Sequence, residues 1–144
     1  MARYFTLAKA EAALPEVEKA LHDALFLKSD YESAGRELDG IHQQIYLAGG
    51  MRVDSGKVLA IRARKDTAAA ALKERFEEIE RIGCLVKDLE TGLIDFPTFY
   101  RGTEVYLCWR FGEDRIEYWH GVDEGFRGRK AIDEDFRTNH SASD

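Results

Sequence analysis

What this chain lacks narrows it first. It has only two cysteines among its 144 residues. Neither Cys84 nor Cys108 stands in a C-x-x-C spacing, so a disulfide framework and a dithiol or zinc-ribbon motif are excluded. No run of 18 apolar residues exists, so no membrane span is expected. The opening M-A-R-Y-F-T has no apolar h-region, so no secretory signal is expected. Two thiols without an export signal read as reduced cysteines of a cytoplasm. A basic excess is missing as well. The net charge is −6, and residues 84–144 hold 8 basic against 13 acidic side chains. The aromatic-rich part is therefore the acidic part. Nucleic acid, which needs a basic face to release counterions, is not expected as a partner. The basic group Arg52, Lys57, Arg62, Arg64 and Lys65 reads as a solvated helix face. There are no repeats and no low-complexity segments.

What is present is an ordinary globular composition. A chain of this length can bury about two-thirds of its unfolded surface in one domain. Residues 1–132 are expected to form a single α+β domain, and 133–144 a polar, flexible tail.

Thr6 is a good N-cap, because its hydroxyl can accept from an orphan amide of the first turn. Leu7 to Leu14 reads as helix. Pro15 removes a donor and clashes with the preceding turn, which predicts a kink or short break near Ala13. A long helix then runs from Glu16 to about Ala48. Leu14, Val17, Leu21, Leu25, Tyr31, Leu38, Ile41 and Ile45 form one stripe at three- and four-residue steps. Gly49-Gly50 ends it, and Met51-Arg52-Val53 connects. Asp54 or Ser55 caps a second helix, which Gly83 closes, with Val58, Ile61, Ala68, Leu72, Phe76 and Ile79 as its stripe. The short connector implies an antiparallel hairpin. A turn near Met51 would set Gly35 beside Ala68 and Gly40 beside Ala63. Close backbone approach there competes with the plainer reading that alanines are good helix formers.

After Gly83 the period changes to two. Strands are predicted over Cys84–Lys87, Leu93–Phe96, Glu104–Phe111 and Arg115–His120, with Pro97 ending the second or placing it at an edge. The fold class is thus α+β: a long antiparallel helical hairpin with a small C-terminal antiparallel sheet of three to five strands beside it.

The loop length of the last hairpin decides which side chains meet. A three-residue loop, Gly112 to Asp114, pairs Tyr106 with His120, Leu107 with Trp119 and Cys108 with Tyr118. One face is then Val105, Leu107, Trp109, Phe111 and Trp119, fit to pack on the helices. The other holds Glu104, Tyr106, Cys108, Arg110, Tyr118 and His120. A two-residue loop would mix the sets.

The polar face carries the candidate chemistry. The candidate ligand-binding set is Tyr106, Cys108, Arg110, Tyr118, His120 and Asp88. His120 is a residue type suited to acid–base work, and Asp88, Asp95 or Asp123 can partner it. Cys108 beside it is similar to a thiolate–imidazole pair. Cys108 and His120 are also two metal donors that Asp95, Glu104 or Asp123 could complete, but no pair has a recognised ligand spacing and no metal is assigned. Tyr100, Tyr106, Trp109, Arg110, Tyr118, Trp119 and Phe126 are residue types that anchor ligands, but most read as the large side chains a small sheet needs for its core, with Tyr106 and Tyr118 as exceptions. The glycines of G-F-R-G-R lack the helix and the Lys-Ser/Thr pair of a phosphate loop.

The runs V-K-D-L-E-T-G-L-I-D-F-P (86–97), E-V-Y-L-C-W-R (104–110) and Y-W-H…D-E-G-F-R-G-R (118–129), with the opening R-Y-F-T-L…E-A…L-P-E (3–16), resemble a small prokaryotic domain-of-unknown-function family (DUF2203-like). Ala8-Lys9 departs from the acidic pair expected after the capping threonine. The resemblance implies a bacterial or archaeal cytoplasmic protein and brings no activity, cofactor or catalytic residue. On the residues alone, the leading reading is a non-catalytic module that binds a small molecule or a protein. The alternative is a small enzyme using His120 with a carboxylate, in which metal could assist. An exposed imidazole would favour the binder, and a perturbed one beside a pocket the enzyme. Phe26, Leu27, Tyr46 and Leu47 leave apolar surface beyond the helical stripe, so a homodimer through the helices is expected.

Overall fold

The structure is a computed structural model that describes residues 3–49 and 54–143. Two long helices, α1 (Leu7–Leu47) and α2 (Ser55–Ile82), precede an antiparallel sheet of β1 (Leu85–Asp88), β2 (Leu93–Tyr100), β3 (Thr103–Arg110), β4 (Tyr118–Gly121), β5 (Lys130–Ala131) and β6 (His140–Ser141). A short 3-10 turn (Phe126–Gly128) precedes β5, and a short helix α3 (Glu134–Asn139) precedes β6. The strand order is β1-β2-β3-β4-β5, with β6 on β2. The α+β hairpin-and-sheet architecture is as the sequence implies, and among the described residues five strands follow one another across the sheet, with the two-residue β6 beside β2. No described helix is long and apolar enough to cross a membrane.

The caps follow the sequence. Thr6 Oγ1 accepts the Lys9 amide at 3.1 Å, and Asp54 Oδ1 accepts that of Lys57 at 3.1 Å. Gly83 closes α2 with φ +111°, a conformation glycine takes without a Cβ penalty. The expected connector at Gly50 and Met51–Val53 lies outside the described residues. Pro15, expected to kink or break the chain near Ala13, lies inside an uninterrupted α1. Pro15 is on the exposed side while Leu14 and Val17 are buried. Solvent can therefore take the freed carbonyl, and burial of the stripe keeps the helix whole.

Packing divides the chain into two compact units. One is His22–Arg75; the other is Met1–Leu21 with Phe76–Asp144. In the helical unit Ala34, Leu38 and Ile61 form a buried cluster with Ile41 and Val58 against it. Arg64 reaches Glu37 at 2.7 Å, and Lys65 lies over the Tyr31 ring at 5.2 Å. The proposed close approach at the glycines is absent. A Cβ on Gly40 would meet nothing within 4 Å, and one on Gly35 only Lys65 Cε at 4.0 Å. Small residues here do not mark tight backbone contact.

In the sheet unit, alternation along the paired strands makes two faces. Ile94, Phe96, Leu107 and Trp109 are all 0% exposed and share one face with Val105 and Trp119. Phe5 meets Phe96 edge-on on this side, at 5.3 Å between ring centroids. Leu7, Ala10, Leu14, Val17, Ala20 and Leu21 of α1 and Ile79 of α2 are buried in the same unit.

β2 does not stop at Pro97 but runs on to Tyr100. Pro97 pairs with Tyr106 of β3, while its carbonyl, on the other edge, accepts the Phe5 amide at 2.8 Å. A residue's N and O point to the same edge. The missing N–H therefore falls between the end of the β1 pairing at Asp95 and the start of the β6 pairing at Phe99, where no ladder bond is lost.

Residues 133–143, expected as a polar, flexible tail, carry α3 and β6. Asp133 caps α3 by accepting the Phe136 amide. Phe136 is 0% exposed and stacks on Trp119 at 5.1 Å. His140 Nε2 accepts the Leu7 amide at 2.9 Å, so the C-terminal segment caps α1.

Candidate functional site

The register that builds the polar face is the one expected: Tyr106↔His120, Leu107↔Trp119 and Cys108↔Tyr118. The loop behind it is longer, spanning residues 111–117 rather than 112–114. The last pair is Cys108↔Tyr118, and the residues between that pair, 109–117, centre on Glu113 as 112–114 does, so the register is unchanged and the ladder simply ends earlier. The reason is visible in the packing. Ile116 turns inward to 2% exposure, and the Trp109 indole donates to the Glu113 carbonyl at 2.9 Å. Each contact fixes the loop in place of a further rung.

β2 and β3 pair Asp95 directly with Cys108. His120 on β4 lies diagonal to Cys108, two rungs along. Three adjacent strands thus deliver a carboxylate, a thiol and an imidazole to one face, opposite Trp109. Asp95 is 1%, Cys108 1% and His120 3% exposed. One Asp95 oxygen, one His120 nitrogen and the Cys108 sulfur lie within 4.8 Å of one another.

The hydrogen bonds are specific. His120 Nε2 is 3.1 Å from Asp95 Oδ1, and Nδ1 is 2.8 Å from the Gly121 carbonyl oxygen. Asp95 Oδ2 is buried and has no hydrogen-bond partner among the described residues. The weakly donating Cys108 thiol also bears on this carboxyl, without meeting hydrogen-bond geometry at Oδ2. Burial raises the Asp95 carboxyl above its ordinary range, and His120 opposes the shift. Burial, helped by Asp95, pushes the Cys108 thiol up to about 12. A thiol held in that state is no nucleophile, and the imidazole faces Asp95 rather than sulfur. The thiolate–imidazole reading is therefore not supported.

A recess of about 230 Å³ opens over the trio, lined also by Lys87, Asp88, Leu93, Glu124, Gly125 and Phe126. Of the other expected site residues, Tyr106 is buried with its ring edge-on to His120 at 5.7 Å between centroids. Asp88 lines the recess, but its carboxylate accepts the Glu90 amide and the Thr91 hydroxyl, closing a turn. Arg110 and Tyr118 do not line it. Arg110 is exposed, its guanidinium 5.7 Å from the Phe126 ring centroid. Tyr118 lies under Arg129 at 4.2 Å. Asp123 and Glu104 are exposed and line no part of the recess.

Sequence reasoning missed Lys87, Glu124 and Arg129. Lys87 Nζ sits over the Tyr106 ring at 4.7 Å. Glu124 accepts the Gly121 amide at 2.8 Å and the Lys130 ammonium at 2.6 Å, which holds the loop beyond His120. Arg129 donates to the Cys108 carbonyl at 3.2 Å and the Glu113 carboxylate at 2.6 Å. The G-x-x-E spacing at 121–124 is the one signal that could have found Glu124, as a carboxylate capping a turn.

No curated protein and no solved structure matches the chain. The family model described as "Uncharacterized conserved protein (DUF2203)" matches residues 3–132, nearly the whole length, including every strand that contributes to the trio, and the chain belongs to that family.

Proposed function

We propose that the protein is a binding module for a small polar ligand, and that the recess over Asp95, Cys108 and His120 is its site. The observation that carries this is the unpartnered Oδ2 of Asp95, a residue that lines the recess. A buried carboxylate oxygen without a donor is costly, and a ligand reaching the floor would relieve that cost. Lys87, Glu124 and Phe126 supply one cation, one anion and one aromatic at the rim. A thermal-shift screen of small polar compounds and metal salts tests it. Hits should stabilise the wild type and lose their effect in Asp95→Asn and His120→Ala. Hits that persist in both variants would place binding elsewhere.

A second reading, a small enzyme with His120 and Asp95 as an acid–base pair, is favoured by their 3.1 Å contact beside the recess. The ring is buried, unlike the exposed imidazole that would favour a pure binder. Asp88 and Asp123 are not part of this pair. Turnover of any screening hit, abolished in His120→Ala, would establish it.

The setting we propose is a prokaryotic cytoplasm, supported by the family resemblance and by two cysteines that are free thiols. We also propose a homodimer through the helices. Its support is the exposed apolar surface of the helical unit, with Phe26 at 69%, Tyr46 at 85%, Leu47 at 74% and Leu59 at 65% exposure. Light scattering at high micromolar concentration should give twice the chain mass, and a monomer there would remove the dimer.

A further inference from the structure

The ligand reading leaves open what sits deepest in the recess, and the donor chemistry answers that. The Gly121 carbonyl can only accept a hydrogen bond, so His120 Nδ1 at 2.8 Å carries a ring proton. In the neutral ring, Nε2 is then a bare lone pair. It faces Asp95 Oδ1 at 3.1 Å, and an ionised carboxylate also only accepts. Two acceptors so placed need a positive charge between or beside them. A single proton answers that one contact, and it leaves Asp95 Oδ2 without a hydrogen-bond partner among the described residues. A divalent ion draws on nitrogen, carboxylate and sulfur together.

We propose that Asp95, Cys108 and His120 bind one zinc-class divalent cation, through a carboxylate oxygen, Sγ and Nε2. This rests on the reading of the recess as a ligand site and names its innermost ligand. Bonds of about 2.0–2.2 Å to N and O and about 2.3 Å to S make the edges of a tetrahedral zinc site roughly 3.3–3.7 Å. The three donor atoms already lie within 4.8 Å of one another, with the N···O edge at 3.1 Å. Little movement separates this arrangement from coordination. The Nδ1 bond to a backbone carbonyl is the outer contact that fixes the tautomer and aim of a ligating histidine.

Charge and ligand type agree with this choice. A doubly charged cation balances one carboxylate and one thiolate, so the buried cluster carries no net charge. Metal binding also displaces the thiol proton that burial otherwise retains. The sulfur and imidazole select zinc or cobalt over magnesium or calcium, which prefer all-oxygen shells. Each donor comes from a different adjacent strand, a rigid platform for fixed geometry. Three protein donors leave the fourth position open, and it faces the recess.

The test is titration of chelator-stripped full-length protein with cobalt(II), followed by zinc(II) competition. One equivalent of cobalt should give a thiolate-to-cobalt charge-transfer band and intense four-coordinate visible bands, and zinc should erase both. Cys108→Ser should abolish the charge-transfer band. Cys108→Ser and His120→Ala should each weaken zinc binding by about 100-fold or more. Cys108→Ser is nearly isosteric, so the test stands even where His120→Ala folds poorly; melting of each metal-free variant shows which are folded. Asp123→Asn, outside the recess, should bind as the wild type does. A folded wild type with no cobalt band overturns the proposal, as does a charge-transfer band that survives Cys108→Ser. If no metal binds while small compounds still shift melting in a His120-dependent way, the cation fails and the ligand site stands. If the cation binds as described and no small compound does, the cation site is supported and the wider ligand reading fails.

Discussion

Replacing Trp109 by alanine tests the division of the sheet into two faces. Trp109 is 0% exposed and lies on the face opposite His120. Removing a buried indole costs about 3–5 kcal/mol in transfer and cavity terms. The lost hydrogen bond to the Glu113 carbonyl adds about 1 kcal/mol. That carbonyl belongs to a partly exposed loop residue, so water can replace the indole and keep the extra cost small. A total of roughly 4–6 kcal/mol is a large share of the 5–15 kcal/mol that holds a typical domain together. With a urea slope of about 2 kcal/mol per molar, the midpoint should fall by about 2–3 M. Trp119 remains as the fluorophore to follow unfolding, and Trp109→Phe should recover part of the loss. A midpoint within about 0.5 M of the wild type would show that Trp109 is not in the core and that the faces are misassigned.

Three further outcomes follow from the same packing. Gly92→Ala should destabilise by on the order of 1–3 kcal/mol, because φ is +71° and a Cβ would lie 2.6 Å from Phe111 Cβ; an unchanged melting temperature would show a different turn. Ending the chain after residue 132 removes Phe136 and the His140 contact to Leu7 and should cost about 3–5 kcal/mol, read by urea unfolding, whereas a detached tail would cost nothing. Burial raises the Cys84 thiol from 9.0 to about 12. Below pH 9 the folded and unfolded thiols are both protonated, and the full contribution is present; between pH 9 and about 12 only the unfolded one ionises. Stability should therefore fall by about 1.4 kcal/mol per pH unit across that window. Cys108 is raised likewise and adds a slope of its own, so Cys84→Ala should remove only the Cys84 share of the fall in urea unfolding at stepped pH, and a slope identical to the wild type's would refute the burial.

The helices were legible because their signals are local. Thr6, Asp54 and Gly83 act where a cap or stop is expected, and the apolar stripe repeats at the helical period. The β3–β4 register was legible because one face had to be apolar, and that condition alone pairs Tyr106 with His120. Pro97 misled because the sequence does not show which edge of β2 lacks a neighbour at that residue. The C-terminal segment misled because its anchors, Phe136 and His140, are single residues among polar ones and carry no period. At the site, Cys108 and His120 could be placed by alternation within one hairpin. The choice of Asp95 over Asp88 and Asp123 could not, since it depends on β2 pairing with β3 in a register no turn signal fixes. The Nδ1 contact to Gly121, which gives the trio its chemistry, is a side-chain orientation that spacing does not encode.

X-ray absorption at the zinc edge, on protein holding one equivalent of zinc, tests the central claim most directly, because it reads the donor atoms themselves. Coordination by Asp95, Cys108 and His120 predicts one sulfur at about 2.3 Å with nitrogen and oxygen neighbours at about 2.0–2.2 Å, and loss of the sulfur shell in Cys108→Ser. A shell of nitrogen and oxygen alone in the wild type would contradict it.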